Sequence, residues 1–531
     1  MNSIDLFVNG RLTKMKTIAM LVCLNSLLFL FTPQVQATDN MSDLRVVELN
    51  NVSFGQAFEV EVFPGDRSLY LSGRSDAADT EILVQQIKDP SGKVIYSAAV
   101  NGDNVSVTGN VSSEALSNVG DFALLMPANP HADSQLKPGV YNIQVMANGS
   151  TGAIRDLRAV FKQHVDTTQA VDINIMVLDR TASTRNRSLS SAFKNTLLKE
   201  VNRLLNAHQM SVGRLNIVDA DAALRTQFAA IQEDNIPVLC QSLSQHFGAG
   251  RALNIGLVET ISSSEVQGIA GVSPGLPATV MHPNYRNSCV LMSERAYGAN
   301  VASHAANLVH EMSHLMAIPH TTEESGLKHD SFSDTSECAL ARFDGRSNLG
   351  VSGRAGDKAV DDFECGRDGG ADNYMFYSGV EDFMPFHMTV QQATVLKSHP
   401  LFYPVIGGQM SASWYNPQQS GHGLSVEVLN DGRAIIYWYT FDQSGAPYWI
   451  VGTGTVEGQS IATDAISVNG GFFPPAFDAS KVQRAQWGKL FLDADPNDCN
   501  LATLRWESAS FGNGSLPMTR LSNLAGNSCQ P

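Results

Sequence analysis

Three histidines and one glutamate occupy the segment LVHEMSHLMAIPH, residues 308–320. Positions four apart lie on one face of a helix, so His310 and His314 can both direct an imidazole nitrogen at one metal ion. Glu311 lies next to that face, where its carboxylate can accept a proton from water. Catalytic zinc sites use such nitrogen ligands and keep one position open for water. The pattern therefore predicts a zinc site; the alternative is a pair of partly buried helix histidines.

A third histidine strengthens this prediction. His320 is the sixth residue after His314, and Pro319 ends any helix before it. A turn that brings the chain back would make His320 the third protein ligand and leave the fourth tetrahedral position to water. The helix that carries the first two histidines is predicted over residues 299–315, which contain no glycine or proline and are rich in alanine.

These residues resemble the motif of the metzincin clan of zinc endopeptidases, HExxHxxGxxH, which is followed in that clan by a Met-turn. Four residues match the motif: His310, Glu311, His314 and His320. The segment Asp372-Asn-Tyr-Met-Phe-Tyr377 resembles the Met-turn. The resemblance covers roughly residues 171–404 and is to a secreted bacterial type with flanking β-domains. It implies zinc-dependent hydrolysis of protein or peptide substrates, with the glutamate as general base.

The same resemblance implies roles for other residues. Met375 would lie in the Met-turn and pack beneath the histidines. Tyr377 corresponds to a tyrosine that joins the zinc sphere in astacin-like and serralysin-like members, with a packing role as the alternative. The segment at residues 268–273 resembles the clan's edge strand, to which a substrate backbone adds as an extra strand. Its expected substrate-binding residues are Gly268, Ile269, Ala270 and Gly271.

Two features depart from the family pattern. Ala317 stands where the clan has glycine, at a turn whose left-handed conformation costs other residues roughly 1 kcal/mol. A cost of that size can be tolerated. The Gly-Asp calcium repeats of serralysins are absent, so a Ca²⁺ ion would have to lie elsewhere. The Asp-rich loop from Asp344 to Asp372 is the candidate for Ca²⁺, with a solvated loop as the alternative.

Two other functions fit parts of the sequence. A gluzincin-type peptidase takes its third zinc ligand from a glutamate farther downstream, and Glu337 is nearest to that spacing; His320 argues against this function. A non-catalytic secreted adhesin or binding protein would display the flanking domains on an inactive peptidase scaffold. Glu311 argues against that function, because an inactive scaffold has no chemical need for the base.

Changes of pattern divide the chain into a leader, an N-terminal domain, a catalytic domain and a C-terminal domain. The predicted boundaries are 1–37, 38–165, 166–404 and 405–531. The N-terminal domain has short alternating runs separated by Gly, Asp, Asn and Pro, which predicts an antiparallel β-sandwich. Its role as scaffold, adhesion module or prosegment stays open. Because it holds no cysteine, a cysteine on the zinc cannot keep a zymogen of this protein inactive.

The other two domains have distinct patterns. Residues 166–404 alternate strands and helices, which predicts an α/β domain with a twisted, mostly parallel sheet and the active-site helix. Residues 405–531 hold all five tryptophans and a strong hairpin pattern, which predicts an all-β domain. The tryptophans either build its core or form a binding face for sugar rings or peptide. Residues 414–423 resemble a module common at the C-termini of exported bacterial proteins, which suggests a surface or glycan target.

The N-terminus predicts export. Lys14 and Lys16 precede an apolar run at residues 17–31 and a small-residue site that ends at Ala37, which is typical of a Sec-type signal peptide. The run is too short and too interrupted for a stable membrane span. We therefore expect a secreted protein.

Cysteine content and charge narrow the class of protein further. Six cysteines follow the leader, and an even number in an exported chain indicates disulfides. Their clustering along the chain favours the pairs Cys240–Cys289, Cys338–Cys365 and Cys499–Cys529. The formal net charge is −16, and no long run of Lys or Arg is present, so nucleic acid is not an expected partner.

Overall fold

The structure is a computed structural model of the chain. It describes residues 44–49, 52–77, 80–101, 104–109, 117–129, 135–147, 152–163, 165, 168–248, 250–263, 267–339, 360–378, 384–429, 433–457, 459–495, 498 and 500–524. The predicted signal peptide and the predicted pair Cys499–Cys529 lie outside these residues. The chain divides into two compact units. The second unit holds the described residues from 403 onward with residues 168–170 and 209–213, and the first unit holds the rest.

Antiparallel strands form the N-terminal part of the first unit. They are β1 (Leu44–Glu48), β2 (Val52–Ser53), β3 (Ala57–Val62), β4 (Ser68–Arg74), β5 (Glu81–Lys88), β6 (Val94–Asn101), β7 (Asn104–Gly109), β8 (Ser117–Val119), β9 (Asp121–Met126), β10 (Gly139–Ala147) and β11 (Ala153–Lys162). One sheet has the order β1-β11-β4-β9, with β2 paired to β11, and the other has the order β3-β10-β5-β6-β7, with β8 paired to β5.

The two sheets share one hydrophobic core. Residues alternate between exposed and buried along β3, so that Phe58, Val60 and Val62 point inward, as the period of two in the sequence predicts. Leu71 and Phe122 from the other sheet belong to the same core. This part of the chain is therefore the predicted β-sandwich.

Strands and helices alternate in the next segment. The strands are β12 (Gln169–Val177), β13 (Met210–Asp219), β14 (Ala230–Gln232), β15 (Ala252–Val258), β16 (Thr260–Ser262), β17 (Gln267–Ile269), β18 (Gly271–Val272), β19 (Val290–Ser293) and β20 (Tyr403–Pro404). The helices are α1 (Ala182–Ser188), α2 (Ser191–Leu205), α3 (Ala222–Phe228), α4 (Ile236–Phe247), α5 (Glu294–Tyr297), α6 (Val301–Leu315), α7 (Asp362–Cys365) and α8 (Val390–Ser398).

The main sheet of this segment is mixed. Its order is β13-β12-β15-β19-β18, and β20 also pairs with β12. The pairs β12–β15 and β15–β19 are parallel, whereas β18–β19 and β12–β20 are antiparallel. A smaller sheet has the order β14-β16-β17. The prediction of a mostly parallel sheet is therefore correct for β12, β15 and β19 but not for β18 and β20.

A closed barrel of eight strands forms most of the second unit. The strands are β21 (Ala412–Tyr415), β22 (Gly423–Val428), β23 (Arg433–Phe441), β24 (Pro447–Glu457), β25 (Ser460–Asn469), β26 (Gln483–Ala494), β27 (Leu501–Ser508) and β28 (Gly512–Arg520). Alternate residues point inward along β23, where Ile436 and Trp438 join the core while Tyr439 is exposed. The C-terminal domain is therefore all-β, as the sequence predicts.

Disulfides link parts of the first unit. Cys240 in α4 is bonded to Cys289, which precedes β19, with an S–S distance of 2.02 Å. Cys338 is bonded to Cys365 at the end of α7. Both are pairs that the clustering of cysteines predicts. Among the described residues, no helix has the length and apolar character needed to cross a membrane.

Candidate metal centre

Helix α6 carries the first two histidines of the motif. Its N-cap is Asn300, whose side chain accepts hydrogen bonds from the backbone N–H groups of Ala302 and Ser303. Every residue from Ser303 to Leu315 is buried, so the helix is surrounded by protein on all faces. A helix in such an environment holds its side chains in fixed positions, and His310 and Glu311 are among them.

The helix ends in a Schellman motif. The N–H of Ala317 donates to the carbonyl of His314 at 3.0 Å, and the N–H of Ile318 donates to the carbonyl of Ser313 at 2.9 Å. Ala317 has a φ of 80°, the left-handed conformation that glycine adopts most easily. The sequence prediction that this position is strained by alanine is therefore confirmed. The reversed chain direction brings the next residues back towards the helix.

The three histidines converge. One ligand nitrogen from each of His310, His314 and His320 lies within 4.8 Å of the others, and all three residues are buried. His314 Nε2 is 3.1 Å from His310 Nε2 and 3.2 Å from His320 Nε2. Nitrogens at about 2.0–2.1 Å from one tetrahedral zinc ion would be about 3.3–3.4 Å apart. The donor set therefore fits zinc with little change of position.

The other ring nitrogen faces a hydrogen-bond acceptor in His310 and His314 and lies beside a carboxylate in His320. The Nδ1 atoms of His310 and His314 face backbone carbonyls, of Tyr374 at 2.6 Å and of Ile318 at 2.8 Å. His320 Nδ1 lies 3.1 Å from a carboxylate oxygen of Glu323. An acceptor at Nδ1 places the proton there, so Nε2 presents its lone pair to the point where the three rings meet. The arrangement favours the tautomer whose Nε2 can bind a metal ion.

The predicted Met-turn fastens two parts of the site together. The turn is closed by a bond of 3.0 Å from the N–H of Phe376 to the carbonyl of Asn373, and Met375 within it is fully buried. The carbonyl of Met375 accepts the N–H of Thr321, next to His320, at 2.9 Å. The side chains of Asn373 and Gln392, in α8, form a reciprocal amide pair. The turn therefore positions both the Tyr374 carbonyl and the chain after the third histidine.

The predicted edge strand lies against the glutamate. Gly271 belongs to β18, the last strand on its side of the main sheet. A methyl group built at Gly271 would lie 2.5 Å from Glu311 Oε1 and 2.6 Å from Asn307 Nδ2. Asn307 also donates to the carbonyl of Ala270 at 3.3 Å. Glycine at this position lets the strand backbone contact the fully buried Glu311.

The prediction of a single edge strand over residues 268–271 was wrong in part. Gly268 and Ile269 belong to β17, which pairs with β16 in the smaller sheet. Ala270 lies between the two sheets, and its carbonyl accepts the N–H of Ser293 at 2.8 Å. Only Gly271 is in β18. Because β18 is a short strand, its ends cannot be read from alternation in the sequence.

Two other predicted ligands have different surroundings. The hydroxyl of Tyr377 donates to the carbonyl of Val360 at 2.6 Å, and its ring packs with Cys338 and Phe376. These contacts are those of the packing role. Glu337, the ligand expected of a gluzincin, is exposed, and the group that converges contains His320 instead.

The described acidic residues of the predicted calcium loop have partners. Asp361 caps α7, Asp362 accepts the hydroxyl of Ser378, and Asp372 pairs with Arg367. Asp344 lies outside the described residues. The described part of the loop therefore uses its carboxylates to hold the chain in place.

Glu323 is a site residue that sequence analysis missed. It lies three residues after His320, so the signal was an acidic residue close to a predicted ligand. The carbonyl of Tyr374 was also missed. It is a backbone group, and only the folded turn brings it to His310.

Comparison with known proteins adds little. No family model matches the sequence, and no curated protein matches it. Among solved structures, the CBM22-1 and GH10 modules of xylanase 10B from Clostridium thermocellum are 9% identical, with a TM-score of 0.12 and coverage of 52% of each chain. This chain thus spans about half the length of that match.

Two matches come from Clostridium perfringens. The ZmpB metallopeptidase is 8% identical, with a TM-score of 0.10 and coverage of 89% of this chain and 100% of that one. The M60 catalytic domain of ZmpB with its CBM51-1 and CBM51-2 domains is 9% identical, with a TM-score of 0.10 and coverage of 89% and 60%. TM-scores this low assign neither fold nor family.

Proposed function

We propose that this chain is a secreted zinc endopeptidase with a metzincin-like catalytic domain. The proposal rests on the convergence of nitrogens from His310, His314 and His320, with Glu311 adjacent to the first of them on a buried helix. A structural zinc site is closed by four protein ligands. Three protein ligands and a neighbouring carboxylate leave a position for water, which is the arrangement that hydrolysis needs.

Each group has a role in the proposed reaction. When bound, zinc supplies Lewis-acid activation of water and of the scissile carbonyl. The carboxylate of Glu311 accepts a proton from the attacking water as the new C–O bond forms. It then delivers that proton to the leaving amine as the C–N bond breaks. A substrate strand that adds to β18 would run past Gly271 and so past the Glu311 carboxylate.

The test is zinc content and chelator-sensitive cleavage of casein by the purified secreted chain. We expect one zinc ion per chain and cleavage by the wild type. Glu311→Gln should keep the zinc and lose about 10²- to 10⁴-fold in rate, because only the base is removed. His320→Ala should lose the zinc, whereas Glu337→Gln should keep both zinc and activity.

The same variants separate the alternatives. A gluzincin would show the opposite result for the His320 and Glu337 variants. Bound zinc without cleavage in the wild type would favour a binding protein on an inactive scaffold. A wild-type chain without zinc would overturn the proposal.

We propose the predicted domain boundaries for the secreted protein. Cleavage after Ala37 would leave residues 38–165, 166–404 and 405–531 as the three domains of the exported chain. Mass spectrometry of the extracellular protein gives its N-terminus directly. A chain that still carries residues 1–37, or that stays inside the cell, would contradict the proposed export.

A second function is proposed for the C-terminal barrel, which is binding of a neutral oligosaccharide. Four of the five tryptophans, Trp438, Trp449, Trp487 and Trp506, lie near the same end of the barrel, where four loops connect the strands. The loops are residues 416–422, 442–446, 470–482 and 509–511. Trp414, Trp438 and Trp487 belong to the core, and Trp506 packs against it. A core alone does not require four tryptophans near one end.

Exposed rings surround this end of the barrel. Tyr439 and Trp449 lie directly opposite each other on β23 and β24 and both point outward. The loop between β25 and β26 adds exposed phenylalanines, of which Phe473 is 91% exposed. Aromatic faces of this kind can stack on the apolar C–H face of a sugar ring. Barrel mouths are frequent ligand sites.

Uncharged polar groups at this end can bind the hydroxyl groups of a neutral ligand. Gln419, His422 and Gln443 offer uncharged donors and acceptors for hydroxyl groups. The carboxylate of Asp442 accepts hydrogen bonds from Ser444 and from the N–H of Ala446, so it holds its own turn.

Affinity electrophoresis of the full chain through gels that contain neutral polysaccharides tests this second function. We expect Trp449→Ala to abolish the retardation that the wild type shows. Phe491→Ala is the matched control, because Phe491 is an aromatic residue farther along β26 from the aromatic end, stacked with Arg505. Equal retardation of the wild type and the Trp449 variant, or no retardation by any neutral polysaccharide, would contradict glycan binding.

A further inference from the structure

One sheet of the N-terminal sandwich contacts a loop of the catalytic part through buried polar groups. The loop comprises residues 277–287 and connects β18, which lies against Glu311, to β19. The sandwich side is formed by β4, β9 and β11, which are neighbours in one sheet. Both sides belong to the same compact unit. We call residues 277–287 the docking loop.

Tyr70 in β4 holds two backbone groups of the docking loop. Its hydroxyl donates to the carbonyl of Ala278 at 2.9 Å and accepts the N–H of Val280 at 2.9 Å. The side chain is almost fully buried, and burial raises the pKa of its hydroxyl well above the ordinary value. The group therefore stays protonated and acts as donor and acceptor at once.

Other sandwich residues bind the rest of the docking loop. Asp121 in β9 accepts the backbone N–H of Arg286 and of Asn287. Arg158 in β11 donates to the carbonyl of Met281 at 2.7 Å. Met281 has a φ of 64°, a left-handed conformation that a non-glycine residue keeps only when its surroundings impose it. The loop conformation is therefore set from the sandwich side.

The docking loop reaches the carboxyl end of helix α6. The N–H of Ala278 donates to the carbonyl of Leu315 at 3.0 Å. Leu315 is the last residue of the helix and follows His314 directly. Tyr70 therefore binds the carbonyl of Ala278, and the N–H of the same residue binds the carbonyl of Leu315 at the end of α6. Two hydrogen bonds thus connect the sandwich to the site.

A second contact fixes the sandwich to the segment after α8. Lys162 at the end of β11 is buried, and its ammonium group donates to the carbonyls of His399 and Phe402 at 3.2 and 2.6 Å. Arg251 donates to the Phe402 carbonyl as well, at 2.6 Å. Removal of the sandwich would expose these carbonyls and the buried apolar surface around them.

We propose that the N-terminal sandwich is a permanent part of the enzyme rather than a removable prosegment, and that Tyr70 is a positioning residue for the metal site. Tyr70 acts through Ala278 on the Leu315 carbonyl and so on the direction of His314. The positioning role of Tyr70 rests on the proposed zinc site. The claim that the sandwich is retained concerns the covalent state of the secreted chain and does not depend on catalysis.

The N-terminus of the active extracellular protein tests whether the sandwich is retained. We expect mass spectrometry to find a chain that begins close to residue 38 and retains the sandwich. An active extracellular species that begins near residue 166 would overturn the proposal.

Zinc affinity, measured by competition with a chelator, tests the positioning role. Tyr70→Phe removes both hydrogen bonds of the hydroxyl, and only the bond to Ala278 leads to Leu315. It should therefore raise the zinc dissociation constant roughly fivefold, which is the effect of about one lost hydrogen bond. It should lower kcat by a similar factor with little change in KM. Tyr141→Phe is the matched control, because Tyr141 is equally buried but lies in the other sheet, where its hydroxyl accepts the N–H of Lys137.

The outcomes separate positioning from stability. Both variants are expected to lower the melting temperature, and only Tyr70→Phe is expected to change zinc affinity. Equal zinc affinity and kcat in the two variants would overturn the positioning role. If Tyr70→Phe does not fold, hydrogen exchange in the wild type decides, since the Val280 amide should exchange as slowly as the amides of α6. Fast exchange there would overturn the proposal. A wild-type chain without zinc would instead refute the proposed function.

Discussion

Gly271 and Glu311 are in contact across the gap between strand β18 and helix α6. A methyl group at Gly271 would come within 2.5 Å of Glu311 Oε1, a distance at which one of the two groups must move. Strand β18, which is proposed to bind the substrate backbone, therefore also contacts and positions the proposed base, Glu311. Glycine at position 271 has a steric role that its place in an edge strand does not by itself require.

We predict that Gly271→Ala displaces the carboxylate of Glu311 while the three histidines keep their positions. A displacement of about 1 Å costs about 10²-fold in rate. The chain should therefore bind zinc normally and cleave casein about 10²-fold more slowly. Zinc content and steady-state cleavage measured on the same sample check this.

Gly256→Ala provides the control for that variant. Gly256 lies in β15 of the same sheet, and a methyl group there would meet Leu291 Cδ2 at 2.8 Å, not a polar group of the site. This variant should lower stability without a selective loss of activity. If both variants lose the same activity, Gly271 acts through the sheet and not through Glu311.

We predict that Ala317→Gly stabilises the protein. Ala317 has a φ of 80°, which costs an L-residue about 1–2 kcal/mol and glycine almost nothing. The greater freedom of glycine in the unfolded chain offsets about 0.4–1 kcal/mol of that gain. The free energy of unfolding should therefore rise by about 0.5–1 kcal/mol. Chemical denaturation of the two proteins in the presence of a chelator measures it.

The control for Ala317→Gly is the same substitution inside the helix. Ala306→Gly should destabilise the protein by about 1 kcal/mol, because residue 306 lies in the middle of α6. An effect of the same sign in both variants would mean that the left-handed conformation at Ala317 carries no strain.

Glu323 supplies a third prediction. Its carboxylate lies 3.1 Å from His320 Nδ1, and loss of such a partner typically weakens metal binding by about 10- to 100-fold. Glu323→Ala should therefore raise the zinc dissociation constant by that factor. Glu323→Gln should raise it less, because the amide oxygen can still accept the Nδ1–H proton. Chelator competition on both variants checks this, and equal losses would show that charge and not the hydrogen bond matters.

The metal ligands could be predicted from the sequence because their spacing has a geometric meaning. His310 and His314 must share a face of any helix, and Pro319 forces a turn before His320. The left-handed conformation at Ala317 was also predictable, because the clan that the motif resembles has glycine at this position. Glu323 could have been added, because it follows a predicted ligand by three residues.

Other features depend on contacts that no local pattern encodes. The division of residues 268–271 between two sheets follows from the pairing of β17 with β16 and of β18 with β19. The surroundings of Tyr377 depend on Val360, whose carbonyl accepts its hydroxyl. The bond from Tyr70 to Ala278 joins residues far apart in the sequence. Tertiary pairings of this kind leave no periodic trace in a single sequence.

Asp121 predicts a pH dependence of stability. Burial raises the pKa of its carboxyl from 3.8 to about 6, against the hydrogen bonds that lower it. The folded protein thus holds this proton more tightly than the unfolded chain does. The stability that the protonated form contributes is therefore fully present below pH 3.8 and is lost as the pH rises through about 6. A shift of this size corresponds to up to about 3 kcal/mol. Tyr70 and Tyr285, whose pKa values burial raises, keep their protons throughout this range.

The measurement is the free energy of unfolding of the wild type minus that of Asp121→Asn, as a function of pH. This difference should decrease as the pH rises from 3.8 to about 6. Asp89→Asn is the control. Hydrogen bonds from Ser91 lower the pKa of Asp89, so its difference curve should have the opposite sign. A flat curve for Asp121→Asn would mean that solvent reaches the docking loop.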